Sequence, residues 1–151
     1  MLDHAKLKVS KAQLESQINV TLNDAEDLKF ENHRFDAITV AFGVRNFEDV
    51  SRGLKEMHRV LKPGGKIIIL EFSKPRSGFF ALLFNLYFKK LLPVIGNFFS
   101  GNNRAYSYLS ESVEAFPERD DFIKLMQENG FHSCKYQSFT FGVACMYLGK
   151  K

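Results

Sequence analysis

Hydrophobic positions fall into three distinct rhythms along this chain. Ile38, Val40 and Phe42 belong to one short apolar run and Ile67-Ile68-Ile69-Leu70 to another. Runs this short and rich in β-branched residues suit strands buried on both faces. Between them Phe47, Val50, Leu54, Met57 and Leu61 recur at spacings of three and four, one stripe of an amphipathic helix. Pro63-Gly64-Gly65 is expected to stop that helix and turn the chain into the second strand. The sum is a parallel βαβ unit over Phe35–Lys74. Elsewhere Leu2 to Glu15 and Pro117 to Asn129 read as helices, and Ala105 to Phe116 as a third. Ile18 to Leu22 reads as a short strand. Phe139, Phe141, Val143, Cys145 and Tyr147 alternate strictly, which predicts one long strand paired by a hairpin with Phe131 to Tyr136. There is no internal repeat or linker, so the 151 residues are read as one domain.

Open parallel sheets bind ligands just beyond the carboxyl ends of their strands. Here those ends are Ala41-Phe42-Gly43-Val44-Arg45-Asn46 and Glu71-Phe72-Ser73-Lys74. Glu71 closes an otherwise apolar strand, and a buried carboxylate is costly unless paired. It is expected to bond either Arg45 or a ligand across the cleft, a solvent-exposed strand end being the alternative. Asn46 has a competing structural role, as N-cap of a helix starting at Phe47.

The same residues carry a resemblance. FGVRN, RVLKPGG and LEFSKP, with the later YSYLSESV and Phe116-Pro117, resemble the ubiquinone/menaquinone biosynthesis C-methyltransferase family. RVLKPGG alone marks only the wider class I superfamily, whereas FGVRN followed by LEFSKP is much narrower. The resemblance implies an α/β fold: an incomplete class I methyltransferase (Rossmann-like) sheet, strands three to seven with the last antiparallel. The family's Gly-rich cofactor loop has no counterpart, since the first glycine is Gly43. The chain therefore reads as the carboxyl-terminal part of such a domain, expected to bind cofactor weakly and to be inactive alone. A non-catalytic fragment or partner-binding module of the same fold is the alternative. With the family's first two strands missing, Ile18–Leu22 is expected to hang loose or to slide onto the open edge near Ile38.

What the resemblance implies for function is S-adenosylmethionine-dependent C-methylation of a polyprenylated quinol ring, with demethylmenaquinol favoured. Asp24 and Ala25 match the pair that holds the adenine, while Ala41 and Phe42 stand against the cofactor at the end of the fourth strand. Arg45 and Asn46 are the candidate catalytic pair. A guanidinium stabilises a phenolate or orders a water that takes the proton, and the carboxamide bonds the second ring oxygen. Glu71, Tyr106 and Tyr108 are candidates for the substrate pocket.

Composition narrows the remaining classes. A net charge of +4 with basic residues scattered among 17 acids gives no basic stripe, so nucleic acid is not an expected partner. Cys134 and Cys145 lie in apolar segments and suit reduced thiols in a cytoplasmic protein. The histidines at 4, 33, 58 and 132 lack metal-ligand spacing, so no metal site is expected. No signal peptide is recognised at the start of the sequence. Sixteen phenylalanines and no tryptophan stand out, many of them in FFALLFNLYFKKLLPVIGNFF over residues 79–99. Asn85, Lys89, Lys90 and Pro93 interrupt this stretch well short of the roughly 20 apolar residues a membrane span needs. It reads as a helix over Phe79–Leu92, either buried on the sheet or a greasy lid with Lys89-Lys90 at lipid headgroup level. Peripheral membrane contact at the inner face follows from the second reading. A homo-oligomer is left open.

Overall fold

The computed structural model describes residues 2–76, 86 and 103–151, with the side chains of 103–107 and 110 excepted. The expected Phe79–Leu92 helix lies outside the described residues. A four-stranded sheet forms the centre: β1 (Phe35–Ala41), β2 (Leu61–Phe72), β3 (His132–Phe139) and β4 (Ala144–Lys150). Its order is β1-β2-β4-β3. β1 and β2 run parallel, with Ile38 beside Ile67 and Ala41 beside Leu70. β4 is antiparallel to both β2 and β3. The mixed α/β fold with an antiparallel last strand is therefore present.

Helix α2 (Val50–Val60) lies in the crossover between the parallel strands. Leu54 and Met57 of its inward stripe share one buried core with Ile67 and Ile69 of β2, and Val60 is buried as well. α4 (Asp120–Glu128) adds Phe122 and Met126 to the same core. The other two helices are α1 (Leu2–Lys11), which buries nothing, and α3 (Asn103–Ala115).

Four expectations need correction. The segment Ile18–Leu22 forms no strand: it has no ladder partner among the described residues, and Leu22 is 83% exposed. A strand needs a ladder for its backbone groups, and no described strand lies beside it. It does not slide onto β1 either. The first helix ends at Lys11 rather than Glu15. α2 begins at Val50, not Phe47, and its N-cap is Asp49, whose Oδ1 accepts the Arg52 amide at 3.0 Å. β2 starts at Leu61, directly after α2, so Pro63-Gly64-Gly65 falls inside its span. There Gly64 takes φ +76, and a side chain on Gly65 would meet the Lys62 carbonyl at 2.8 Å.

The alternation from Phe139 to Tyr147 also misled, because it spans a hairpin turn. Thr140–Gly142 form a 3₁₀ turn in which Phe141 has φ 56 and Gly142 φ 92. Phe139 then pairs with Ala144, and Phe141 is left 72% exposed at the tip.

Candidate active site at the carboxyl ends of the parallel strands

Glu71 occupies the same face of β2 as Ile67 and Ile69, two residues further on each time, and is likewise 0% exposed. A carboxylate there must find partners, and it finds Arg45. Arg45 Nη1 donates to Glu71 Oε2 at 2.9 Å, and the Arg45 amide lies 3.3 Å from Oε1. The Phe72 amide approaches Oε2 at 3.3 Å. Glu71 therefore bonds Arg45, and it is not a solvent-exposed strand end.

The backbone is bent to make this contact. Phe42 has φ 55, a conformation that costs a bulky residue roughly 1–2 kcal/mol. The bend aims the Phe42 carbonyl at Arg45 Nη1, 2.6 Å away. The Phe42 ring lies 4.5 Å from that of Phe72, and the guanidinium stands 5.2 Å over Phe72. Arg45 Nε is buried with no hydrogen-bond partner among the described residues. The cation is thus held on one side by Glu71, on another by a carbonyl, and below by a ring.

Asn46, next in the 3₁₀ turn Val44–Asn46, is exposed, and its Oδ1 accepts the Tyr108 hydroxyl from α3 at 3.1 Å. It shares a polar cavity of about 380 Å³ with Asn23, Asp24, Ala25, Phe47 and Arg52. Asp24 Oδ1 accepts the Glu26 amide at 2.9 Å. The structure therefore groups Asp24, Ala25 and Asn46, and separately groups Phe42, Arg45 and Glu71. Ala41 is exposed at the end of β1. Tyr106 lies in α3, and its side chain is outside the described residues.

Two supporting networks escaped the sequence reading. The loop bearing Asp24 is fastened to α2 instead of to a sheet. Glu26 accepts the amides of Glu48 (2.7 Å) and Asp49 (3.1 Å), and Glu56 accepts that of Leu28 (2.9 Å). Arg59 holds the carbonyls of Leu28 and Phe30, and its ion pair with Glu56 keeps that carboxyl below its ordinary range. Arg59 lies within RVLKPGG, so the motif itself was the available signal.

The second network anchors the chain leaving β2. Arg119, only 5% exposed, donates to the carbonyl of Lys74 and pairs with Glu118, which accepts the Lys74 amide at 2.8 Å. The Arg119 amide donates to the buried Tyr147 hydroxyl at 2.8 Å, and burial pushes that phenol well above its usual range. Ser73 Oγ donates to the Gly142 carbonyl at 2.7 Å. A Tyr on the inward face of an alternating strand needs a partner for its hydroxyl, but nothing in the sequence names Arg119 as that partner.

Among the described residues no group of His, Cys, Asp and Glu stands together as metal ligands. No helix of the described residues is long and apolar enough to cross a membrane. Cys134 and Cys145 are both free thiols.

The model of the ubiE/COQ5 methyltransferase family matches residues 1–151. The chain belongs to that family. It is 46% identical over its whole length to the ubiquinone/menaquinone biosynthesis C-methyltransferase UbiE of Geotalea daltonii, of which it covers 64%. It is 48% identical to the demethylmenaquinone methyltransferase of Deinococcus radiodurans, covering 61% of that protein. This family member thus spans a little under two thirds of the length of these curated relatives. Solved structures agree on the fold. A SAM-dependent methyltransferase from Aquifex aeolicus superposes with a TM-score of 0.65 at 13% identity, over 99% of this chain and 62% of that one. Another, from Thermotoga maritima, superposes with a TM-score of 0.63 at 19% identity, over 93% and 68%.

Proposed function

We propose that this chain carries the acceptor side, and part of the cofactor side, of an S-adenosylmethionine-dependent C-methyltransferase. Its substrate is a polyprenylated quinol, demethylmenaquinol foremost. The observation that carries this reading is the buried Arg45–Glu71 pair at the carboxyl ends of two parallel strands, in a chain of this family.

The residues present suit the nucleoside of the cofactor. The polar cavity offers the Asp24 carboxylate as acceptor, the Ala25 backbone and the Phe47 ring. Ala41 and Phe42 would meet its reactive end. When bound, the cofactor supplies an electrophilic methyl group. The protein's own task is to make a ring carbon nucleophilic and to hold it in place. Loss of the proton from a quinol hydroxyl puts charge onto the ring, and a fixed guanidinium donor beside that oxygen stabilises it. Arg45 is fixed in this sense, because Glu71 and the Phe42 carbonyl leave its side chain 11% exposed. Glu71 balances the charge, so the quinol meets a directed donor rather than a free cation. Tyr108, and Tyr106 by sequence, would wall the ring pocket. Much of the rate then comes from positioning two reactants. The Phe-rich stretch over residues 79–99 suits an isoprenoid tail and contact with a lipid surface.

The test is methyl transfer in a chimera that adds the part of the Geotalea daltonii relative this chain does not span. With methyl-deuterated S-adenosylmethionine and a short-tailed demethylmenaquinol, the label is expected on a ring carbon. Label on a ring oxygen, or none from a folded chimera, overturns the proposal. A partner-binding module is the second reading. It is favoured by the open edge of β1 and an apolar cavity of about 350 Å³ lined by Leu28, Phe30, Ile38, Val40 and Met57.

A further inference from the structure

Arg45 and Asn46 are adjacent, yet their side chains serve different places. Successive residues of a 3₁₀ turn point about 120° apart. Arg45 is turned towards Glu71 and Phe72 of β2. Asn46 lies on the wall of the polar cavity that also holds Asp24 and Ala25. Its carboxamide is not spent on capping, since Asp49 caps α2. A carboxamide has one acceptor oxygen and two N–H donors. The Tyr108 hydroxyl donates to that oxygen at 3.1 Å, which fixes the oxygen towards α3 and turns the NH₂ donors away from it. Asp24, across the same cavity, has a carboxylate and therefore only acceptors to offer. An acceptor and a donor in one cavity are the complement of a 6-aminopurine edge, whose exocyclic amine donates and whose ring nitrogen accepts. A 6-oxopurine presents the reverse.

We infer that Asn46 reads the purine of the methyl donor rather than the quinol ring, and that Tyr108 is the positioning residue that sets its donor direction. The inference rests on the methyltransferase reading and moves Asn46 from the acceptor side of the site to the nucleoside side. It also gives α3 a function: the helix delivers a hydroxyl that fixes which end of the carboxamide a ligand meets.

The test uses the full chain and NMR titrations with adenosine, inosine and, as the ring probe, a reduced naphthoquinone. Wild type is expected to bind adenosine in the millimolar range and to prefer it over inosine. Asn46→Ala should weaken adenosine by about fivefold, the scale of one net hydrogen bond, and reduce the preference to what the Asp24 acceptor alone supplies, with the naphthoquinol shifts unchanged. Tyr108→Phe keeps the ring and removes only the hydroxyl. It should lower the adenosine-to-inosine ratio, and combined with Asn46→Ala it should add nothing further. A purely structural Tyr108 would instead weaken both nucleosides equally and add to the effect of Asn46→Ala. If Asn46→Ala weakens naphthoquinol and spares adenosine, Asn46 belongs to the acceptor. If wild type binds adenosine and neither variant changes the ratio, the inference alone fails. If wild type binds no adenosine, the cofactor reading of the cavity fails with it.

Discussion

Glu71→Ala is expected to be the most destabilising single change at the site, costing about 3–5 kcal/mol in urea unfolding. The reason is what it leaves behind. Arg45 loses its counter-ion, and the Arg45 and Phe72 amides lose the acceptor they approach. Burying an uncompensated charge costs far more than the pair contributes when intact. Glu71→Gln keeps the volume and one acceptor oxygen and should cost less. Replacing both partners together, Glu71→Leu with Arg45→Met, should also be milder than Glu71→Ala alone. If Glu71→Ala unfolds at the wild-type urea concentration, the pair is not buried as described.

Arg45→Ala carries the largest expected effect on catalysis. In the chimera, kcat should fall at least about tenfold, roughly 1.4 kcal/mol of lost transition-state stabilisation. Binding of S-adenosylmethionine should change little, because Arg45 is not on the wall of the Asp24 cavity. Arg45→Lys should not restore the rate. An ammonium cannot reach Glu71 and the Phe42 carbonyl while presenting a planar fork. Turnover that survives Arg45→Ala in a folded chimera would make Arg45 structural only.

Much of this site could be read from the sequence because it lies in a local unit. The βαβ crossover is encoded by two short β-branched runs and one helical stripe, and the ends of its strands follow directly. Glu71 at the end of IIIL was conspicuous because a charge on a buried face needs a partner, and Arg45 was the cation at the neighbouring strand end. The unread parts depend on partners far apart in sequence. Ile18–Leu22 has the composition of a strand, but a strand exists only in a ladder, and composition does not supply a neighbour. Phe139 to Tyr147 keeps a period of two straight through a turn, because the backbone of Gly142 rather than its pattern reverses the chain. Arg119 is buried by contacts with Lys74, Gly142 and Tyr147, none of which local periodicity could foretell. Glu26 carries no local signal of its role, for only the position of α2 gives its carboxylate two amides to hold.

In the proposed function the acceptor ring meets Arg45 at the ends of β1 and β2, and not the apolar cavity beneath β1. Photo-crosslinking separates these directly. A short-tailed naphthoquinol bearing an aryl azide, irradiated with the full chain and mapped by peptide mass spectrometry, should label the segments Phe42–Asn46 and Phe72–Lys74. Arg45→Ala should reduce that labelling. Adducts confined to Leu28, Phe30, Ile38 or Met57 would contradict the account, for they would put the ring in the cavity instead.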